Sequence, residues 1–166
     1  MFTKFLLPWR KVAMAAVVTA AGIATASTAI AGECPADKIV ADGKGQPMGA
    51  TAPKDVTDTV LAAIDLSKEK VAADGHQFRM RQLEIQPGGI VPWHSHNERP
   101  AMIYIVRGEI HEYASNCAAP ILHKAGDVAR EAKGTSHWWQ NTSKGAVELI
   151  SVDILPPQMK KEEKMM

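Results

Sequence analysis

From residue 76 onward, apolar and polar positions alternate in short runs, each closed by turn residues, and that period of two predicts strands rather than helices. The runs are His76 to Ile85, Val91 to His96, Ala101 to Arg107, Glu109 to Ala114, Ile121 to Lys124, Asp127 to Arg130, His137 to Asn141 and Ala146 to Leu155. Pro87-Gly88-Gly89 is the turn signal between the first two, and Pro156-Pro157 closes the last. Ahead of them, Thr59 to Leu66 (TVLAAIDL) fits an edge strand or one helical turn, the strand being preferred. No helical pattern of ten or more residues interrupts the series, so an alternating strand–helix architecture is excluded and an all-β sandwich or barrel is expected.

The N-terminus follows a different pattern. Residues 1–31 carry Lys4, Arg10 and Lys11 and no acid, then an Ala/Val-rich run from Val12 to Ile23, then Ala29-Ile30-Ala31. Basic, apolar and A-x-A in that order is the signature of a secretory signal peptide cleaved after Ala31, which predicts a periplasmic or secreted protein. The run is richer in Ala, Thr and Gly than a membrane span, so no stable membrane insertion is expected after cleavage. Residues 32–58, rich in Gly, Pro, Lys and Asp, read as an irregular arm, 59–155 as the barrel domain, and 156–166 as a charged C-terminal tail.

Charge and cysteine content narrow the function classes. The 166 residues hold 19 basic and 18 acidic side chains, a net charge of +1, and removing the leader's three basic residues leaves 16 against 18, or −2. A near-neutral domain without a basic block offers no footprint for nucleic acid. The two cysteines, Cys34 and Cys117, are expected to form one disulfide in an oxidising compartment, pinning the arm to the domain.

Candidate chemistry concentrates in two stretches, Gly88 to Gly108 (GGIVPWHSHNERPAMIYIVRG) and Gly126 to Asn141 (GDVAREAKGTSHWWQN). On a strand, His94 and His96 point to one face, from which two imidazoles can converge on one ion. His137 arrives on another strand, where Trp139 and Asn141 share its face. The spacings of Gly88, His94, His96 and Gly108, followed by those of Gly126, Gly134, His137 and Asn141, resemble the two motifs of the cupins. The resemblance runs from about Thr59 to Leu155 and implies a small jelly-roll β-barrel, a mononuclear metal inside it, and commonly a homodimer.

Two positions depart from the family pattern. The proline of the second motif is Ala132, and the metal-binding glutamate of the first falls at Ala101, whose methyl cannot bind an ion. Glu98 is the nearest substitute ligand by strand parity; its other reading is a solvated loop carboxylate or a partner of Arg99. Three histidines alone leave coordination positions open to water, oxygen or substrate.

The cofactor expected from the resemblance is therefore one divalent transition metal, iron, manganese, nickel or zinc, on His94, His96 and His137. Trp139, Ile103, Ile105, Asn141 and Arg99 are expected to shape the pocket. Arg79, Arg81, Arg99 and Arg107 are available to an anionic substrate, with surface solvation the expected role of most and Arg99 the preferred candidate. His76, His111 and His123 are assigned to ordinary packed or exposed positions. Two functions stay open: a dioxygenase-like or isomerase-like enzyme on a small organic substrate, or a non-catalytic module binding metal or a small ligand.

Overall fold

The computed structural model of the chain describes residues 32–71, 73, 75–132 and 134–157. The expected leader lies outside them, as does the tail beyond Pro157. Eight antiparallel strands carry the fold: β1 (Lys54–Asp65), β2 (Gln77–Ser95), β3 (Ala101–Arg107), β4 (Glu109–Ala114), β5 (Ile121–Lys124), β6 (Val128–Glu131), β7 (Ser136–Gln140) and β8 (Val147–Leu155). Among the described residues the only helical pieces are two 3-10 turns, Ala36–Lys38 and Leu66–Lys68. The order β5-β4-β7-β2-β8-β3-β6, with β1 on β2, curls into a nearly closed barrel, so the all-β jelly-roll expectation holds.

Strand β2 joins the two leaves of this barrel. Its first half, Gln77 to Ile85, pairs with β8 on one side and with β1 on the other; its second half, Ile90 to Ser95, pairs with β7. The sequence reading separates these halves by a turn at Pro87-Gly88-Gly89, whereas the structure runs one 19-residue strand through it. Gly88 adopts φ 78° there, and the β1–β2 register slips between Lys54/Ile90 and Val56/Ile85. A bulge with a left-handed glycine bends a strand without ending it, and here the bend lets one strand change partners. β1 also begins at Lys54, inside the segment read as arm, because its first residues are mostly polar and exposed and give no alternating signal.

The core lies between the leaves: Leu83, Ile85, Ile103, Ile105, Ile110, Val147, Leu149 and Trp139 are buried in one cluster. Ile105 belongs to this packed interior and does not reach the pocket wall described below, which corrects its expected role. It sits two residues past Ile103 on the same face of β3, a full pleat deeper into the core.

The arm is less irregular than its composition suggests. Cys34 and Cys117 form a disulfide with Cα atoms 5.8 Å apart. Backbone bonds add to it, with Val40 N donating to Asn116 O at 3.0 Å and Gly45 N to Ser115 O at 2.7 Å. Trp138, which points away from the barrel interior, stacks on Tyr113 with ring centroids 4.2 Å apart and is covered by the arm at Gly49, where any side chain would collide with its indole. Exposed apolar side chains include Phe78, Met80, Met102, Tyr104 and Ile154 on the outer face of β2, β3 and β8, and Val60, Leu61 and Ile64 on β1.

Candidate metal centre and its two sides

Three imidazoles meet where β2 and β7 run side by side. His94 is the direct cross-strand partner of His137, which places their Cβ atoms within ordinary cross-strand reach, and His96 follows just past the end of β2, held by its N–H to Thr135 O at 2.9 Å. The Nε2 atoms of His94 and His96 are 3.0 Å apart and those of His94 and His137 3.1 Å apart.

The other nitrogen of each ring faces an acceptor. His94 Nδ1 lies 2.8 Å from Pro92 O, His96 Nδ1 2.6 Å from Arg99 O, and His137 Nδ1 2.7 Å from Glu112 Oε1. Each Nδ1 is therefore the protonated donor, which leaves Nε2 as the ligand nitrogen turned inward. Trp139 Nε1 also lies 3.2 Å from His137 Nδ1, but an indole N–H only donates and cannot take the Nδ1 proton, which goes to the nearer carboxylate.

Burial sets the charge of these rings. It drives His94 well below the ordinary histidine value, helped by His137 and His96, and it lowers His96 to about 3, helped by His137 and Arg99. Both are neutral at physiological pH, as metal-binding imidazoles must be. His137 moves the other way: burial pulls it down, but Glu131 and Glu112 outweigh burial and raise it.

The residues behind His137 escaped the sequence reading. Glu112 Oε1 takes the His137 proton while Oε2 lies 2.8 Å from His123 Nε2, and the His123 ring stacks on Trp139 with centroids 4.5 Å apart. Burial raises the Glu112 pKa, but its bonds to His123 and His137 win and hold it at about 2. Glu131 Oε2 stands 3.3 Å from the same His137 nitrogen, and burial pushes that carboxyl up to about 8. His123 thus braces a carboxylate behind a candidate ligand, beyond the ordinary packed position assigned to it. Strand parity carried the signal: Glu112 alternates with Ile110 and Ala114, and Glu131 with Ala129, all at buried positions.

The remaining expected site residues separate into two groups. His94, His96 and His137 line a small cavity of about 50 Å³ together with Arg99, Ile103 and Trp139. Asn141 does not line it: buried, it donates to Ile85 O at 2.9 Å and Gly145 O at 2.8 Å and accepts from Ser143, so it ties the β7–β8 turn to β2. Its side chain is consumed by backbone groups because it sits just past the end of β7, where the chain turns. Glu98 is exposed and lies outside both clusters of potential metal ligands, His94–His96–His137 and Glu112–Glu131–His137. The short segment after His96 turns back before it can follow strand parity.

Ala101 is buried between Glu131 on β6 and Asp153 on β8, its cross-strand partners. Neither neighbour restores a carboxylate on the Nε2 side, since Glu131 meets Nδ1 of His137 and Asp153 is taken by arginines.

Those arginines correct a second expectation. Arg79, Arg81 and Arg99 are buried, and only Arg107 is exposed. Arg79 makes a two-pronged bond to Asp153, through Nε at 3.0 Å and Nη2 at 2.6 Å. Arg81 Nη1 reaches Asp58 Oδ2 at 2.5 Å. They lie inside because Arg79 and Arg81 share parity with Leu83 and Ile85, and a buried guanidinium is stable only when carboxylates accompany it.

A family model described as a cupin domain matches residues 81–153. Among curated proteins, none matches the sequence. Of solved structures, the chain is similar to a predicted oxalate decarboxylase from Thermotoga maritima, at 22% identity and a TM-score of 0.50, covering 74% of this chain and 98% of that one. It is also similar to an uncharacterized conserved protein with a double-stranded β-helix domain from Klebsiella pneumoniae (18% identity, TM-score 0.49, 69% and 84% covered). A third is the cupin domain of Schizosaccharomyces pombe Cnp3 (17%, 0.49, 68% and 74%). At 22% identity the first of these likenesses speaks to the fold alone.

Proposed function

We propose, on the premise that the chain belongs to the cupin superfamily, that it is an exported protein holding one divalent transition metal on Nε2 of His94, His96 and His137. One observation carries this: Nε2 of His96 and of His137 each lie about 3 Å from Nε2 of His94, all three within 4.8 Å of one another, while every Nδ1 is committed to an acceptor. Two nitrogens ~2.1 Å from a common ion and at right angles to each other lie ~3.0 Å apart, so the donor set fits an ion of iron, manganese, nickel or zinc type. The disulfide supports export, because such bonds persist in oxidising compartments.

The chain's own residues do the rest. Glu112 and the carbonyls of Pro92 and Arg99 fix the ring orientations. Leu83, Val91, Ile103, Trp139 and Leu149 wall off water, and the methyl of Ala101 supplies no fourth ligand, which keeps the centre open toward the cavity. When bound, the ion supplies Lewis-acid or, as iron, oxygen-activating chemistry to a small oxygen-bearing molecule. This supports a dioxygenase-like or isomerase-like enzyme. A binding module is the second reading, favoured by one observation: among the described residues Asp58 is the one carboxylate lining the cavity, and its Oδ2 is bonded to Arg81.

Metal analysis of protein purified without chelator tests the centre. About one ion per chain is expected in the wild type, and loss of it in His137→Ala with the far-ultraviolet spectrum unchanged. Equal metal in the two proteins rules the centre out. Oxygen uptake by the iron-loaded protein with thiols, diketones and phenols then decides between enzyme and binding module.

A further inference from the structure

Arg99 is the one guanidinium of the buried cluster without a carboxylate of its own. It is 3% exposed, and its Nε is buried without a hydrogen-bond partner. Its nearest anion, Asp153 Oδ2, stands 3.6 Å from Nη1 and already accepts from Arg79 at 2.6 Å. Arg81, by contrast, spends Nη1 on Asp58. A guanidinium carries five N–H donors, and removing them from water without partners is costly. Burial lowers the pKa of Arg99 to about 10, yet it remains charged at physiological pH. Asp153 and Asp58 act on its charge from nearby without accepting from it at hydrogen-bond distance, and it lines the same cavity as the three histidines.

We infer that this cavity takes a small organic monocarboxylate, its two oxygens on the fork of Arg99 and its body directed along the apolar wall toward the histidines. The Arg99 fork matches the planar, two-oxygen geometry of a carboxylate. The volume of about 50 Å³ admits a molecule of few heavy atoms, given that one water needs ~10–15 Å³ by this measure. Among the described residues the other cation lining the cavity, Arg81, is paired with Asp58, and Val91, Ile103, Trp139 and Leu149 are apolar, which favours one carboxylate over two. The substrate class rests on the three-histidine reading for where the far end of the ligand points, but the anion subsite stands on Arg99 itself.

Calorimetric titration of chelator-treated and metal-loaded protein with acetate, propionate, their neutral amides and inorganic phosphate tests the inference. The carboxylates are expected to bind both forms at least ~10-fold more tightly than the amides or phosphate. Arg99→Met should abolish that preference, and Arg99→Lys, which keeps the charge without the fork, should fall between. If Arg99→Met does not fold, the wild-type contrast between acid and amide and the Lys variant decide. Amides binding as tightly as acids, phosphate binding alone, or an unchanged preference in either variant overturns the inference. Carboxylate binding that depends on Arg99 in a protein that takes up no metal would keep this subsite and remove the metal centre. Metal uptake with no Arg99-dependent binding would do the reverse.

Discussion

His137 stands between two unlike chambers. On its Nε2 side is the small cavity with Arg81 and Arg99 in its wall; on its Nδ1 side is a larger cavity of about 560 Å³ under the arm, lined by Glu33, Asp42, Glu112 and Glu131. One imidazole therefore faces guanidinium charge on one side and, through Nδ1, the ionised Glu112 with the protonated Glu131 beside it. The carboxylate side holds the Nδ1 proton, and because it also raises the pKa of the ring, an ion binding at Nε2 competes with a second proton there. The difference also divides labour: the arm side orients and braces, while the arginine side is shaped to receive.

If that division is right, unfastening the arm should damage the fold and spare the centre. The disulfide closes a loop of 83 residues in sequence separation, and breaking such a link costs ~2–4 kcal/mol. Replacing Cys34 and Cys117 by Ser is expected to lower Tm by on the order of 10 °C, measured by thermal melts, with metal content per chain unchanged. An unchanged Tm would mean that the arm's backbone bonds to residues 114–118 suffice to hold it. A loss of metal would merge the two sides into one unit.

Glu112 is where the sides communicate, so its substitution should act on binding before it acts on folding. Glu112→Gln removes the charge that holds the His137 proton and releases His123 as well. Loss of a carboxylate behind a ligating imidazole weakens metal binding by ~10–100-fold, readable by competition with a chromophoric chelator. A change below about threefold would show that the backbone alone orients His137.

Much of this arrangement was legible in the sequence, and the part that was not has a physical reason. Strand alternation and the spacing of the glycines and histidines gave the barrel and the three converging imidazoles, since both depend on local periodicity. What periodicity misses is how strands lie side by side. The bend of β2 at Gly88 reads as a turn because a bulge and a turn use the same residues. Arg79 and Arg81 read as surface because their burial depends on Asp153 and Asp58, carboxylates on the flanking strands β8 and β1. Glu98 reads as a ligand by parity, yet the chain leaves the strand after Ser95. Glu112 and Glu131 were open to detection, as acids at inward positions, but their meeting at one histidine nitrogen required β4 and β6 to be brought together there.

The smallest expected effect separates the two carboxylates behind His137. Glu112 is held ionised by its bonds, whereas Glu131, at about 8 against an ordinary 4.5, keeps its proton at neutral pH. A group whose pKa is raised on folding contributes stability below its unfolded value and loses that contribution as pH climbs through the folded value. Wild-type stability from this source is therefore intact below about pH 4.5 and declines up to about pH 8. A glutamine in place of Glu131 cannot ionise, and it mimics the protonated acid in shape. The Glu131→Gln protein should accordingly match the wild type near pH 4.5, gain in relative Tm by a few degrees as pH rises toward 8, and keep its metal affinity within about threefold at neutral pH. A Tm difference that stays flat with pH, or a loss of metal as large as that of Glu112→Gln, would mean that both carboxylates carry charge against His137 and that the Nδ1 side is a doubly anionic site.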